Sequence, residues 1–150
     1  MNSNSIFAGT TTEYNKYKVV VYVHNTRANR PRLLLPAGKT AQCMPFPEDG
    51  KAYGEIRQEV GAACFSVNNG MSKDCLIIAT ASDYVVNIVR LYVHDGYLGR
   101  NDVIIVYVDG IRHKKYEIKL DDNGSLEYYP KGFMEANSDV LLELMAPRKK

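Results

Sequence analysis

Apolar residues fall along this chain in two rhythms, unbroken runs and fourfold spacings, and their succession predicts the elements. "YKVVVYVHN" (17–25) is dense in β-branched and aromatic residues and reads as a strand. "TRANRPR" turns the chain, since Pro31 keeps the residue before it out of helical conformation. "LLLPAG" (33–38) is a short buried strand stopped by Pro36 and Gly38. The following "KTAQCMPFPEDG" holds two prolines and a glycine, and reads as an irregular loop. From Lys51 to about Phe65, Ile56, Val60 and Cys64 recur every fourth residue, which gives a helix with one buried stripe, ended by "NNG".

"CLIIATAS" (75–82) is almost wholly apolar between turn residues, as expected of a strand covered on both faces in a parallel sheet. Ser82 is placed to cap the next helix, whose buried stripe is Val85, Ile88, Val89 and Tyr92 and whose end is Gly96. "DVIIVYVDG" (102–110) is another continuous strand, and the strand–helix–strand succession favours a right-handed parallel crossover. "KKYEIKL", "DDNG" and "SLEYYP" then read as a hairpin with Asn123 and Gly124 at its turn. "GFMEANSDVLLELM" ends in a short apolar helix, and "APRKK" is a solvated terminus. The expected fold is α/β: a mixed, partly parallel sheet flanked by helices, with a C-terminal hairpin and short helix. No repeat or linker divides residues 1–150, which read as a single domain with a loose polar lead-in over 1–14.

Composition narrows the classes. The formal net charge of +2 is too small to demand a polyanionic partner. No apolar run reaches membrane-spanning length and "MNSNSIFAGTTTEYNKYK" lacks a signal peptide's apolar core, so the expectation is a cytoplasmic protein without a membrane partner. The three cysteines, Cys43, Cys64 and Cys75, show no CxxC spacing, and Cys64 and Cys75 sit in apolar runs as small core residues. His24, His94 and His113 are scattered and read as neutral surface residues.

Chemistry is expected at the carboxyl ends of parallel strands. "PAGKT" (36–40) carries the Gly-Lys-Thr of a phosphate loop, making Lys39 and Thr40 candidate nucleotide contacts. Leu33 stands where the loop's first glycine belongs, and "AQCMPFP" supplies no helix to aim main-chain amides, so an exposed strand end is the simpler reading. Asp109, Asp121 and Asp122 fall at strand ends and a turn, where aspartate is locally favoured, although two that converged could hold a metal. Arg27, Arg30, Arg32, Arg112, Lys114 and Lys115 lie in basic turns near tyrosines and could grip nucleic-acid phosphates, but "YEIKLDD" dilutes the second group.

From 76 to 144 the order of pieces is more specific. "IIATAS" is followed by "DYVVNIVRLYVHDGYLGRNDVIIVYV", then "LDDNGSLEYYPKGFMEANSDVLLEL", with Tyr129, Pro130, Gly132 and Phe133 in an aromatic-Pro-x-Gly-Phe pattern. This stretch resembles the C-terminal lobe and extension of ABC-type ATPases of the overcoming-lysogenization-defect kind, which often serve in antiphage defence. There a buried strand ends in Thr-His-Ser before a helix; here Thr80 and Ser82 match, which makes them candidate nucleotide contacts, and Ala81 replaces the switch histidine. "RLLLPAG" loosely resembles the Walker B strand, but Pro36-Ala37 stand where its carboxylates belong. Alanine and proline neither hold magnesium nor polarise water. The resemblance therefore implies a catalytically silent interaction or regulatory protein with no cofactor, which docks on a partner protein or on itself. The competing class is a small nucleic-acid-binding or metal-dependent nuclease-like domain.

Overall fold

A computed structural model describes residues 7–24, 33–70, 73–110, 112, 114–130 and 133. The elements are β1 (Phe7–Thr11), β2 (Val19–His24), β3 (Leu33–Pro36), β4 (Ala41–Pro45), α1 (Tyr53–Asn68), β5 (Cys75–Thr80), α2 (Asp83–His94), a 3₁₀ turn (Arg100–Asp102), β6 (Val103–Asp109) and β7 (Lys114–Ile118). A five-stranded sheet has the order β4-β5-β2-β6-β7, and β1 and β3 form a separate two-stranded pair. β4, β5, β2 and β6 are parallel, while β7 returns antiparallel to β6. The expected α/β class and partly parallel sheet are what the chain forms.

The crossovers β4-α1-β5 and β5-α2-β6 run in one direction across the sheet, so both helices land on the same face. There Ile56, Val60, Cys64 and Val67 of α1 and Val85, Val86, Ile88, Val89 and Val93 of α2 meet Val19, Val21, Leu76, Ile78, Val103 and Ile105. The opposite face is buried under Tyr14, Tyr17 and Phe46, against Val20, Tyr22, Ile77, Ala79, Ile104 and Val106. β2 and β5 are buried along their whole length, which is why their sequences are continuous apolar runs. Each buried Val, Leu or Ile contributes roughly 1.5–3 kcal/mol of transfer free energy. Ser82 caps α2 by accepting the Tyr84 N–H at 3.2 Å, and Gly96 takes φ +83° just past the helix end.

Four expectations are corrected. The supposed loop after Gly38 contains β4, which pairs with β5 from Ala41↔Cys75 to Pro45↔Ala79. The bonds Cys75 N–H to Thr40 O (3.2 Å) and Phe46 N–H to Ala79 O (2.6 Å) set the alternation of the strand. They turn the main chain of Pro45 outward, so its missing donor costs the sheet nothing. Second, the lead-in is not loose throughout: β1 pairs with β3, and Tyr14 is buried. Third, the hairpin expected at Asn123-Gly124 forms but is short, Leu120 and Leu126 meeting in an isolated antiparallel bridge; the regular antiparallel pair is β6 with β7. Gly124, at φ +77°, lies against α2, where an added Cβ would stand 2.4 Å from the Arg90 carbonyl, and Arg90 Nε donates to the Gly124 carbonyl at 2.8 Å. Fourth, His24 is buried rather than at the surface, its ring 5.7 Å from Phe46. Phe133 docks edge-on to Tyr107 at 5.2 Å. The terminal helix expected within 134–150 lies outside the described residues. No helix among the described residues is long and apolar enough to cross a membrane.

Candidate functional site

The carboxyl ends of the parallel strands bring together His24, Pro45, Thr80 and Asp109. Its best-organised part is the β5–α2 junction. The Thr80 hydroxyl donates to Glu48 Oε1 at 2.7 Å and the Ala81 N–H donates to Glu48 Oε2 at 2.9 Å. The Ser82 N–H donates to Thr80 Oγ1 at 3.0 Å. These donors at the start of α2, with the helix dipole behind them, form the kind of place where an anion binds. In this protein the anion is the chain's own Glu48 carboxylate. Glu48 is delivered by the turn after β4, where Phe46 takes φ +52° and accepts the Asp49 N–H at 3.0 Å. Beside it Tyr53 and Tyr84 stack edge to face at 5.0 Å, the Tyr84 hydroxyl donating to the Tyr53 carbonyl at 3.3 Å.

The occupied junction decides what can enter. A phosphate charge about 4 Å from the Glu48 carboxylate would be repelled by about 4 kcal/mol at an effective dielectric near 20. Thr80 and Ser82 are already committed to holding Glu48 and the helix cap, and the methyl group of Ala81 supplies no acid, base or ligand.

Lys39 and Thr40 lie at the other end of the sheet. Thr40 precedes β4, its N–H donating to Asp74 Oδ2 at 3.1 Å and its hydroxyl accepting the Asp74 N–H at 3.2 Å. The Lys39 ammonium donates to the Asn15 carbonyl. The four nucleotide-contact candidates thus form two pairs separated by the length of β5, about 20 Å at 3.3 Å per residue. Here Lys39 ties the start of β4 to the chain before β2, and Thr40 ties it to the start of β5.

Two of the basic candidates are engaged within the chain. Arg112 donates its N–H and Nη1 to the two oxygens of buried Asp109, both at 3.0 Å. Lys115 reaches Glu13 at 2.8 Å and lies 5.4 Å from the Tyr14 ring centre. Lys114 is exposed, and Arg27, Arg30 and Arg32 lie outside the described residues. Asp121 accepts the N–H groups of Asn123 and Ser125, both at 2.9 Å, so it builds the turn, while Asp122 faces Arg100 at 3.5 Å. Among the described residues no group of three or more His, Cys, Asp or Glu side chains could hold a metal. Burial raises all three thiols, Cys64 to about 12, so none is a ready thiolate at neutral pH.

Glu48 is the residue that sequence reasoning missed. Its signal was an acid just after "MPFP", visible only once "AQCMP" is recognised as a strand whose end meets β5. Comparison of the chain with protein families, curated proteins and solved structures finds no match.

Proposed function

We propose that this chain is a non-catalytic interaction protein built on an ATPase-type lobe, which regulates another protein by association. The observation that carries the reading is the Glu48 carboxylate bonded to Thr80 and Ala81, where a nucleotide phosphate would need to sit. The order of elements supports the same reading: a buried strand ending in Thr80, a helix capped by Ser82, a 3₁₀ turn and a second buried strand. The sequence resemblance adds antiphage defence as the process in which to look for the partner.

Two measurements on the full chain test the reading. Calorimetric titration with magnesium ATP, together with a phosphate-release assay, is expected to show neither binding nor turnover. Turnover abolished by Thr80→Val would overturn the silent assignment. The tagged chain, purified from its native host, is expected to elute in a stoichiometric assembly rebuilt from its purified components. Elution as a lone monomer, or only with nucleic acid, would overturn the association reading.

A further inference from the structure

The two edges of the five-stranded sheet are finished differently. β7 exposes Lys114, Lys115 and Glu117, charges that discourage another strand from adding. β4, at the other edge, is Ala-Gln-Cys-Met-Pro, half-buried throughout and without a charge. By the alternation described above, the outward main-chain groups are the N–H of Ala41 and Cys43 and the carbonyls of Ala41, Cys43 and Pro45. Among the described residues, β4 pairs with β5 alone.

We propose that β4 pairs antiparallel with β4 of a second copy of this chain, about a two-fold axis through Cys43, joining two sheets into one. The proposal rests on the association reading above and names its surface and partner. The edge is self-complementary: Cys43 exchanges both of its main-chain bonds with Cys43 of the partner subunit. Ala41 donates to Pro45 of the partner subunit, and the reverse bond forms by symmetry. Proline as an acceptor leaves this arrangement intact and disfavours registers that require its donor.

Charge favours the same occupant. Beside β4 an open groove runs between Met44 and the α1 residues Glu59, Ala62 and Ser66, with Lys73 also on its wall. Lys73 lies just before β5, at the amino end of the strands, whereas Glu59 lies nearer their carboxyl end because α1 runs back across the sheet. A two-fold axis reverses the strand direction, so each Lys73 faces Glu59 of the partner subunit. Glu59 is paired with Lys51 and keeps 43% of its side chain exposed for a second cation. Phe65, half exposed one turn from Ala62, adds apolar area at the rim. A net charge of +2 per chain opposes the pairing little.

Sedimentation equilibrium of the full chain, up to about 100 μM, is expected to give a monomer–dimer equilibrium with a micromolar Kd, about 8 kcal/mol of association free energy. Cys43→Pro removes a donor that points away from β5, so it should weaken the dimer at least about tenfold while leaving the thermal transition cooperative. Lys73→Glu should weaken it to a similar extent, and Lys73→Glu with Glu59→Lys should restore it. The charge swap decides the matter if Cys43→Pro fails to fold. A dimer indifferent to Lys73→Glu, or weakened by it and not restored by the swap, would overturn this interface. A monomer that still co-elutes with a different protein would overturn self-pairing and leave the association reading standing; a monomer that co-elutes with nothing would overturn both.

Discussion

The two faces of one sheet are buried here by different chemistry. On the helix face, α1 and α2 present branched aliphatic side chains at regular spacing against Val19, Val21, Leu76 and Ile78. Among the described residues no helix lies on the opposite face, and irregular chain covers it. It does so with large plates: Tyr14 meets Tyr22 edge-on at 6.2 Å and stands 6.5 Å from Tyr17, with Phe46 closing the carboxyl end. Helical spacing supplies many small contacts, whereas a loop supplies few residues and must make each one wide. The cost of that solution is buried hydroxyl groups. Burial, with the Glu117 carboxylate nearby, pushes the Tyr14 phenol far above its ordinary value, and burial raises Tyr22 to about 12.

The comparison breaks first on the helix face. Ile78→Ala should cost about 3–4 kcal/mol, read as a lower urea midpoint with an unchanged slope, because the rigid helix layer collapses poorly into the space. Gly124→Ala tests the segment docked on α2: a Cβ at 2.4 Å from a main-chain carbonyl and a left-handed φ should together cost about 2 kcal/mol or more. Glu48→Ala probes the loop that joins the faces, since Phe46 packs on the tyrosine side while Glu48 bonds Thr80. It should cost about 1–2 kcal/mol, and inorganic phosphate should then raise the Tm of the variant but not of the parent protein.

The fourth effect is confined to alkali. In the fold Cys64 and Tyr22 keep their protons to about pH 12, whereas their ordinary values are 9.0 and 10.0. The unfolded chain therefore loses these protons first, and stability, full below about pH 9, falls as pH rises towards 12. The slope is at most about 1.4 kcal/mol per pH unit for each group. Denaturant midpoints measured from pH 7 to 11 should show the decline beginning near pH 9 through the buried thiols, Cys64 on the helix face and Cys75 on the other. Tyr22→Phe should lessen only the part above pH 10, since Tyr14 on the same face keeps its own share.

These contrasts explain what could be read from the chain. β2, β5 and β6 announce themselves because a strand covered on both faces must be apolar at nearly every position. α1 and α2 announce themselves by stripes such as Ile56, Val60 and Cys64. β4 stays hidden because, among the described residues, only one of its edges is paired within the chain, so polar Gln42 and the outward Pro45 are both tolerated and the rule that proline argues against a strand misleads. The site is less legible than the fold. Glu48 meets Thr80, 32 positions away, and Lys39 stands apart from that junction because "PAGKT" falls at the amino end of the sheet. Neither fact is a property of a short motif; both depend on where a strand begins and ends.

The central position of β2 has a consequence for the order in which the molecule is assembled. Val19 pairs with Leu76 on one side and Val103 on the other, so the first strand of the main sheet to be synthesised finds neither neighbour until much later chain exists. Pairings so distant in sequence slow folding, because the intervening chain must be confined before the contacts form. β4, α1 and β5 form a local unit that can associate earlier. During synthesis β2 therefore remains an apolar, unpaired strand until β5 emerges, and it keeps one open edge until β6 follows.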